Sequence, residues 1–364
     1  MLDVLVDIVK AESINVVVVA GDIYDRQIPS ATAVSALSHG LAEIRGAGAT
    51  IVGISGNHDS AVRVGFAEPI LSAGGVTLRG DIATAGQPVL VPQPDGNGTV
   101  AFYPIPYLEP ENARHVLGDP EARSHERLLR LALDRARADL ATRVGVRSVA
   151  IVHAFVTGGS ECESELALAV GGSAEVPLKS LRGFDYVALG HLHGRQSLGD
   201  GRSRYSGSLL PYSFSEANHV KGAWIVDVPN DGPARVEPID LPVHRRLSQV
   251  RGNLDHLLTD LSLSDAEDHY VQAILTDPLL PLDAMAKLRR RFPDVVVLGH
   301  EPPMTTPDGL TYAQRIKGRT DLELALDFVE HMCGCPADAE QARNLTDAIG
   351  SAILPDTDAD LEVA

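Results

Sequence analysis

Six side chains in this sequence have the types and settings for metal chemistry. They are Asp22 in Gly21-Asp22-Ile23-Tyr24-Asp25, Asn57 and His58 in Gly56-Asn57-His58-Asp59, then His153, and His191 with His193 in Gly190-His191-Leu192-His193. Carboxylate, amide oxygen and imidazole together suit a borderline divalent ion such as Mn²⁺, Fe²⁺ or Zn²⁺, whereas Mg²⁺ or Ca²⁺ asks for more oxygen. A carboxylate such as Asp22 can bridge two ions about 3.5–4 Å apart, as two-metal phosphoester hydrolases require. Asn57 adds an uncharged oxygen, and the two rings of His-x-His can reach neighbouring ions. Taken singly, each position has an ordinary explanation. A histidine after a strand is usually a hydrogen-bonded structural residue, and Gly-Asp or Gly-Asn-His-Asp is turn chemistry. Their weight comes from recurrence, because each ends the same kind of element.

Those elements are short apolar strands. Val16–Ala20 precedes Asp22, Thr50–Ile54 precedes Asn57, Ser148–Val152 precedes His153, and Tyr186–Leu189 precedes His191. Such β-branched runs predict strands buried on both faces, and α/β sheets gather functional groups at the C-terminal ends of their strands. An amphipathic helix (Leu2, Leu5, Val6, Val9) ends near Glu12, with no capping residue before it, and a second covers 32–45. Short strands interrupted by Pro and Gly fill 76–107, an Arg-rich helix covers 121–143, and strands near Arg204–Ser206 and Trp224–Val228 complete the sheets. Glu-Pro and Leu-Pro-Val within 236–246 predict a linker. Beyond it, helices near 251–262 and 282–291 and strands at His269–Leu275 and Val295–Leu298 predict a small α/β module. A helix at 320–332 follows, and after about residue 340 the Ala/Asp-rich sequence predicts a mobile acidic tail.

The composition supports a layered α/β protein of 364 residues, 44% hydrophobic, with a core large enough to need no covalent staples. Three cysteines, Cys162, Cys333 and Cys335, cannot make a disulfide framework, and the reading is a reducing, cytoplasmic compartment. No apolar run reaches the roughly 18 residues of a membrane span, so no membrane is expected. A net charge of −18 argues against a protein that holds nucleic acid through its own surface alone.

In order and spacing the four motifs resemble the calcineurin-like metallophosphoesterases, and specifically the SbcD nucleases of SbcCD complexes. Arg204-Tyr205-Ser206-Gly207-Ser208, Ser213-Phe214-Ser215-Glu216, Lys221-Gly222 and Leu275-Thr276-Asp277-Pro278 extend the resemblance to about residue 330. It implies a four-layer sandwich of two mixed β-sheets flanked by helices at 1–240, a capping domain at 245–325, and a partner-binding segment with an acidic tail at 326–364. It makes Asp22 the bridging carboxylate, places Asn57, His153 and His191 around one Mn²⁺ and His193 at the other, and gives His58 the proton at the leaving oxygen. Mg²⁺ or another divalent ion is an alternative. The implied activity is an ATP-dependent double-strand 3′→5′ exonuclease and single-strand or hairpin endonuclease in DNA repair, replication and recombination. Its implied partners are an SbcC-like ATPase, DNA ends and hairpins, and a second copy of the chain.

The family's first motif, Asp-x-His on a first strand, has no counterpart here: Asp3 opens a helical run, and no histidine lies two residues on. The expectation is that the native protein begins upstream by a strand, a loop and the start of a helix, roughly 20–30 residues. Without them the second metal site keeps only Asp22 and His193. Two other readings stand beside the nuclease: a scaffold without catalysis that binds the ATPase, and a small-molecule phosphodiesterase. Arg123–Arg147 reads either as a solvated face or as a phosphate-contacting surface, Lys287–Arg291 either as a DNA-backbone contact or as a cation-rich helix end, Cys333-Gly334-Cys335 as neither a metal nor a redox pair, and His300 as structural.

An acidic nuclease subunit is tolerable if its ATPase partner helps clamp the duplex. The isolated chain is therefore expected to bind DNA weakly in a gel shift at physiological salt, and markedly better with that partner. Tight stand-alone binding would contradict this.

Overall fold

The computed structural model describes residues 1–162, 165, 175–303, 318–333 and 335–353. Three of the apolar runs pair as a parallel sheet in the order β1-β2-β3: β1 (Val16–Val19), β2 (Thr50–Ile54) and β3 (Val76–Arg79). Parallel neighbours need crossover connections. Helix α1 (Leu2–Ala11) precedes the sheet, α2 (Ala31–Gly46) joins β1 to β2, and α3 (Ala61–Val64) with α4 (Glu68–Ala73) joins β2 to β3. Ser30 caps α2 by accepting the Ala33 N–H, whereas α1 has no side-chain cap.

A six-stranded mixed sheet forms the second layer, in the order β10-β11-β9-β6-β5-β4. Its strands are β4 (Val89–Pro92), β5 (Thr99–Ile105), β6 (Val146–His153), β9 (Tyr186–Gly190), β10 (Gln196–Leu198) and β11 (Ser203–Tyr205). Between β6 and β9, β7 (Phe155–Val156) pairs with β8 (Glu175–Val176). Helices α5 (Pro110–Val116) and α6 (His125–Leu140) connect β5 to β6. Three apolar cores define the layers. Val6, Val9 and Ile44 pack α1 and α2 on the outer face of the first sheet through Ile51 and Leu78. Val52 and Ile54 meet Phe102, Val149, Ile151 and Tyr186 between the sheets. Leu128, Leu129 and Leu133 of α6 cover the outer face of the second through Tyr103, Ala150 and Leu189. Helix, sheet, sheet, helix is the four-layer order expected.

Several local readings need correction. β1 is half-buried along its whole length, not sealed on both faces, because it stands at the edge of its sheet and pairs with β2 alone. The stretch assigned to a linker contains β13 (Arg235–Asp240), antiparallel to β12 (Gly222–Asp227), with Pro238 opposite Trp224. A two-stranded ribbon leaves an outer edge where proline's missing N–H costs no ladder bond, so the Pro signal misled.

In the following module β14 (Leu247–Gly252), β15 (Tyr270–Leu275) and β16 (Val295–His300) form a parallel sheet covered by α7 (Leu254–Thr259) and α8 (Ala284–Leu288), around a core of Leu257, Val271, Leu275, Leu288 and Phe292. The chain divides into two compact units, Met1–Glu301, which contains this module, and Pro302–Ala364. In the second unit α9 (Asp321–Cys333) packs against α10 (Ala339–Ile353). Helix α10 replaces part of the expected mobile tail. Asp338 caps it by accepting the Glu340 and Gln341 N–H groups, and Ala342, Leu345 and Ile349 recur on one half-buried stripe. The acidic stretch beyond Ile353, and Gly334 of the Cys-Gly-Cys motif, lie outside the described residues. Among the described residues no helix is long and apolar enough to cross a membrane.

Phe292 is fully enclosed in the module's core. Phe292→Ala is expected to destabilise it by about 3–5 kcal/mol, read as a lower urea midpoint for the transition that reports the module.

Candidate metal centre

Each ligand-bearing residue stands at the C-terminal end of a parallel strand. Asp22 follows β1 and Asn57 follows β2, while His153 ends β6 and His191 follows β9. The first pair comes from one sheet and the second from the other, so the packing of Val52 and Ile54 against Val149 and Ile151 is what brings them together. Ligand atoms of Asp22, His153 and His191 all lie within 4.8 Å of one another. Asn57 Oδ1 is 2.8 Å and Asp22 Oδ2 3.2 Å from His153 Nε2.

Local devices hold these groups. Asp59 ties the two carboxylate-bearing loops together, accepting the N–H groups of Gly56, Ile23 and Tyr24 at 2.9 Å each. The His58 N–H donates to Asp22 Oδ1 at 3.0 Å. Asp22 and His191 both adopt left-handed backbone, at φ 48° and 108°. For residues other than glycine this costs of order 1–3 kcal/mol each and persists only where the surroundings enforce it, commonly at functional sites. Glycines provide the close approach. A Cβ on Gly56 would lie 2.0 Å from Asp22 Oδ1, and one on Gly190 would lie 1.7 Å from the Ala20 carbonyl oxygen.

The His153 ring tests whether a cation fits. Its Nδ1 lies 2.9 Å from the Ala20 carbonyl, which can only accept, so Nδ1 carries the proton. In the neutral ring Nε2 is then a lone pair, facing a carboxylate oxygen and an amide oxygen. Three electron pairs converging in a buried space repel unless a proton or a cation sits among them. Two imidazoles, one carboxylate and one neutral oxygen are a donor set suited to a divalent transition ion.

Residues 1–195 match the calcineurin-like phosphoesterases, more than half of the chain. The chain belongs to that family. Residues 243–332 match a second family, described as the type 5 capsule protein repressor C-terminal domain, SbcD_C. The two matches together make the chain an SbcD-like metallophosphoesterase. Calcineurin-like phosphoesterases bind divalent metals and hydrolyse phosphoesters, and the donor set described here is compatible with both.

Two of the predicted residues stand beside this cluster. His58 is half-buried at its rim, with Nδ1 donating to the Asp25 carbonyl at 3.0 Å. His193 lies outside the three-residue group, its Nδ1 3.2 Å from Glu216 Oε1. Sequence reasoning passed over Tyr107, whose ring meets His153 edge-on at a centroid distance of 6.2 Å. No local motif marks it; the chain leaving β5 delivers it, with the Tyr107 N–H donating to the Ser55 carbonyl beyond β2 at 2.9 Å. It also gave no role to Asp59, Glu216 or Lys221, although each lies in a motif quoted for the resemblance.

The Arg-rich stretch presents a solvated face, with Arg123, Arg127, Arg130 and Arg135 exposed, and several of its arginines are engaged within the fold. Arg127 pairs with Asp119 and Arg143 with Asp139, Arg135 donates to the Leu117 carbonyl, and Arg137 donates to those of Ser180 and Arg182. Arg291 likewise binds Glu267 and the carbonyls of Leu257 and Asp260. His300 donates to the Asp277 carbonyl at 2.8 Å, a structural contact as expected.

Electrostatics at the centre follow from burial. Burial alone would raise the Asp22 carboxyl, but the hydrogen bond and charge of His153, with the His58 N–H, overcome it and hold Asp22 below the usual range. Burial pushes Asp59 up despite its three N–H donors. His191 is pushed down to about 3, first by burial and then by the neighbouring His153. Unfolded, the same ring titrates near 6.5, so below that pH the unfolded chain binds the additional proton. The metal-free protein should therefore lose stability as pH falls from about 6.5 towards 3, with the contribution fully present above that window. Urea unfolding across the range, compared with His191→Gln, checks this; an equal slope in both proteins would refute the assignment.

Proposed function

We propose that the chain is the metal-dependent DNA nuclease subunit of an SbcCD-like complex. The observation that carries this reading is the meeting of Asp22, Asn57, His153 and His191 from two sheets, in a chain that also matches SbcD_C. In this reading residues 1–240 are the nuclease domain and 245–325 the capping domain, and residues 326–364 dock on an SbcC-like ATPase. Phe328 and Met332 of α9 are exposed apolar residues suited to such docking. Val62, Phe66 and Ile70 are also exposed, close behind the Asn57 loop, and this is the surface we assign to a second copy of the chain. Substrates are double-stranded ends, digested 3′→5′ with ATP, and single strands or hairpins, cut internally.

Asp22, Asn57, His153 and His191 would hold one ion, and Asp22 with His193 would contribute to a second. Manganese is the favoured metal, with Mg²⁺ or another divalent ion as the alternative. When bound, the ions supply Lewis acidity towards the phosphate and lower the pKa of water. The remaining steps belong to the chain. The Ala20 carbonyl holds His153 in one tautomer, and Asp59 fixes the loop that presents Asn57 and His58. With the His58 Nδ1–H held by the Asp25 carbonyl, Nε2 faces the departing oxygen, and it is the doubly protonated ring that gives up a proton there and returns to the Nδ1–H form.

A hairpin oligonucleotide with the full chain and its ATPase partner tests this reading. Cleavage is expected to stop with chelator and return with Mn²⁺. His58→Ala should lower kcat by about 10²–10⁴-fold with a smaller change in KM. Cleavage indifferent to metal and to Asp22→Asn would sink the nuclease reading. Hydrolysis of a small phosphodiester with no action on DNA would favour the small-molecule enzyme instead.

A further inference from the structure

Beside the candidate centre lies a buried ion pair to which neither family match gives a role. The Glu216 side chain is fully enclosed, and that of Lys221 is 3% exposed. Lys221 Nζ donates to Glu216 Oε2, to Ser208 Oγ at 2.8 Å and to the His193 backbone carbonyl at 2.9 Å, which uses all three of its protons. Glu216 Oε1 accepts the N–H groups of Tyr212 and Ser213 at 3.2 Å each and faces His193 Nδ1 at the same distance. One pair of charges thus grips His193 twice, through its backbone oxygen and through its ring.

The ordinary explanation is a capping box, since Ser213 and Glu216 satisfy each other's turn at Phe214–Glu216. A capping box needs neither a fully buried carboxylate nor a buried lysine. Removing two charges from water is expensive, and a buried ion pair is on average no more stabilising than an apolar pair of similar volume. The pair's geometric effect is therefore the better account of its place. Carboxylate oxygens only accept, so a ring held against Glu216 carries its proton on Nδ1, and Nε2 is left as the lone-pair nitrogen.

We propose that Glu216 and Lys221 are positioning residues for His193, fixing its backbone and its tautomer so that Nε2 carries the ring's lone pair. The inference rests on the metal-centre reading for what that atom is used for, but not for the tautomer itself. Carboxylate-to-histidine contacts of this kind orient metal-binding rings, and losing one typically costs 10–100-fold in affinity or activity.

The double variant Glu216→Leu/Lys221→Met removes both charges together, so no buried charge is stranded and the full chain should fold. Long-range ¹H–¹⁵N spectra of the histidine rings, with His193 assigned by difference from His193→Gln, report the tautomer without metal. The full chain is expected to show His193 in the Nδ1–H form alone, and the double variant to lose that preference. An Nε2–H ring in the native chain, or an unchanged ring in the variant, would overturn the proposal. With Mn²⁺ and bis(p-nitrophenyl) phosphate, kcat should fall about 10–100-fold with KM within about twofold; an unchanged kcat would overturn the catalytic half. If the native chain shows no Mn²⁺-dependent hydrolysis, the metal-centre reading fails, and the tautomer still decides the clamp. Should the double variant not fold, the native chain's own spectrum decides the clamp: an Nδ1–H His193 supports it and an Nε2–H ring refutes it.

Discussion

The Nδ1–H···O=C bond from His153 to Ala20 is the contact on which the centre depends. It crosses from the end of the second sheet to the end of the first, and it settles which ring nitrogen faces Asp22 and Asn57. Because that nitrogen is then a lone pair, the polar residues gathered there cannot satisfy one another when the ring is neutral. A protein interior rarely tolerates such a set. Glycines at the seam show how closely the two sheet edges are pressed together: a Cβ on Gly190 would strike the Ala20 carbonyl, and one on Gly21 the His153 ring.

That pressing is a consequence of the core between the sheets. Val52 and Ile54 stand on β2, the neighbour of the strand that leads to Asp22. Their packing against Phe102, Val149 and Ile151 sets the distance across which His153 reaches Ala20. Close-packed interiors transmit a change of even one methylene. A large-to-small change in this layer would thus act on the centre without touching a ligand, through the separation of the sheets rather than through any one hydrogen bond.

Much of this was legible in the sequence. Apolar β-branched runs located β1, β2, β6 and β9 to within a residue or two, and the polar residue after each gave the centre. What stayed hidden depends on pairing, which local pattern does not encode. The run at Val16–Val19 reads as doubly buried whether a strand has one neighbour or two. Pro238 reads as a linker until its strand is seen at the rim of a two-stranded ribbon. Tyr107 has no motif and reaches His153 through the pairing of the chain after β5 with Ser55, which follows β2. Asp338 and the stripe of α10 were visible signals, outweighed by an Ala/Asp-rich composition that suggested disorder.

The arginines show the same limit in charge rather than in shape. Counted along the sequence, Arg127, Arg135, Arg137 and Arg143 make a basic helix inside a protein of net charge −18. Placed in the fold, each is occupied by a carboxylate or by backbone carbonyls. A guanidinium so engaged contributes little to a phosphate-binding surface, because binding an anion there means giving up bonds already made. Where the partner is a carboxylate the pair cancels one charge of each sign, so the net charge stays −18 while these guanidiniums are committed to contacts within the fold. Whatever grips an anionic polymer beside this centre has to draw on other side chains or on another molecule.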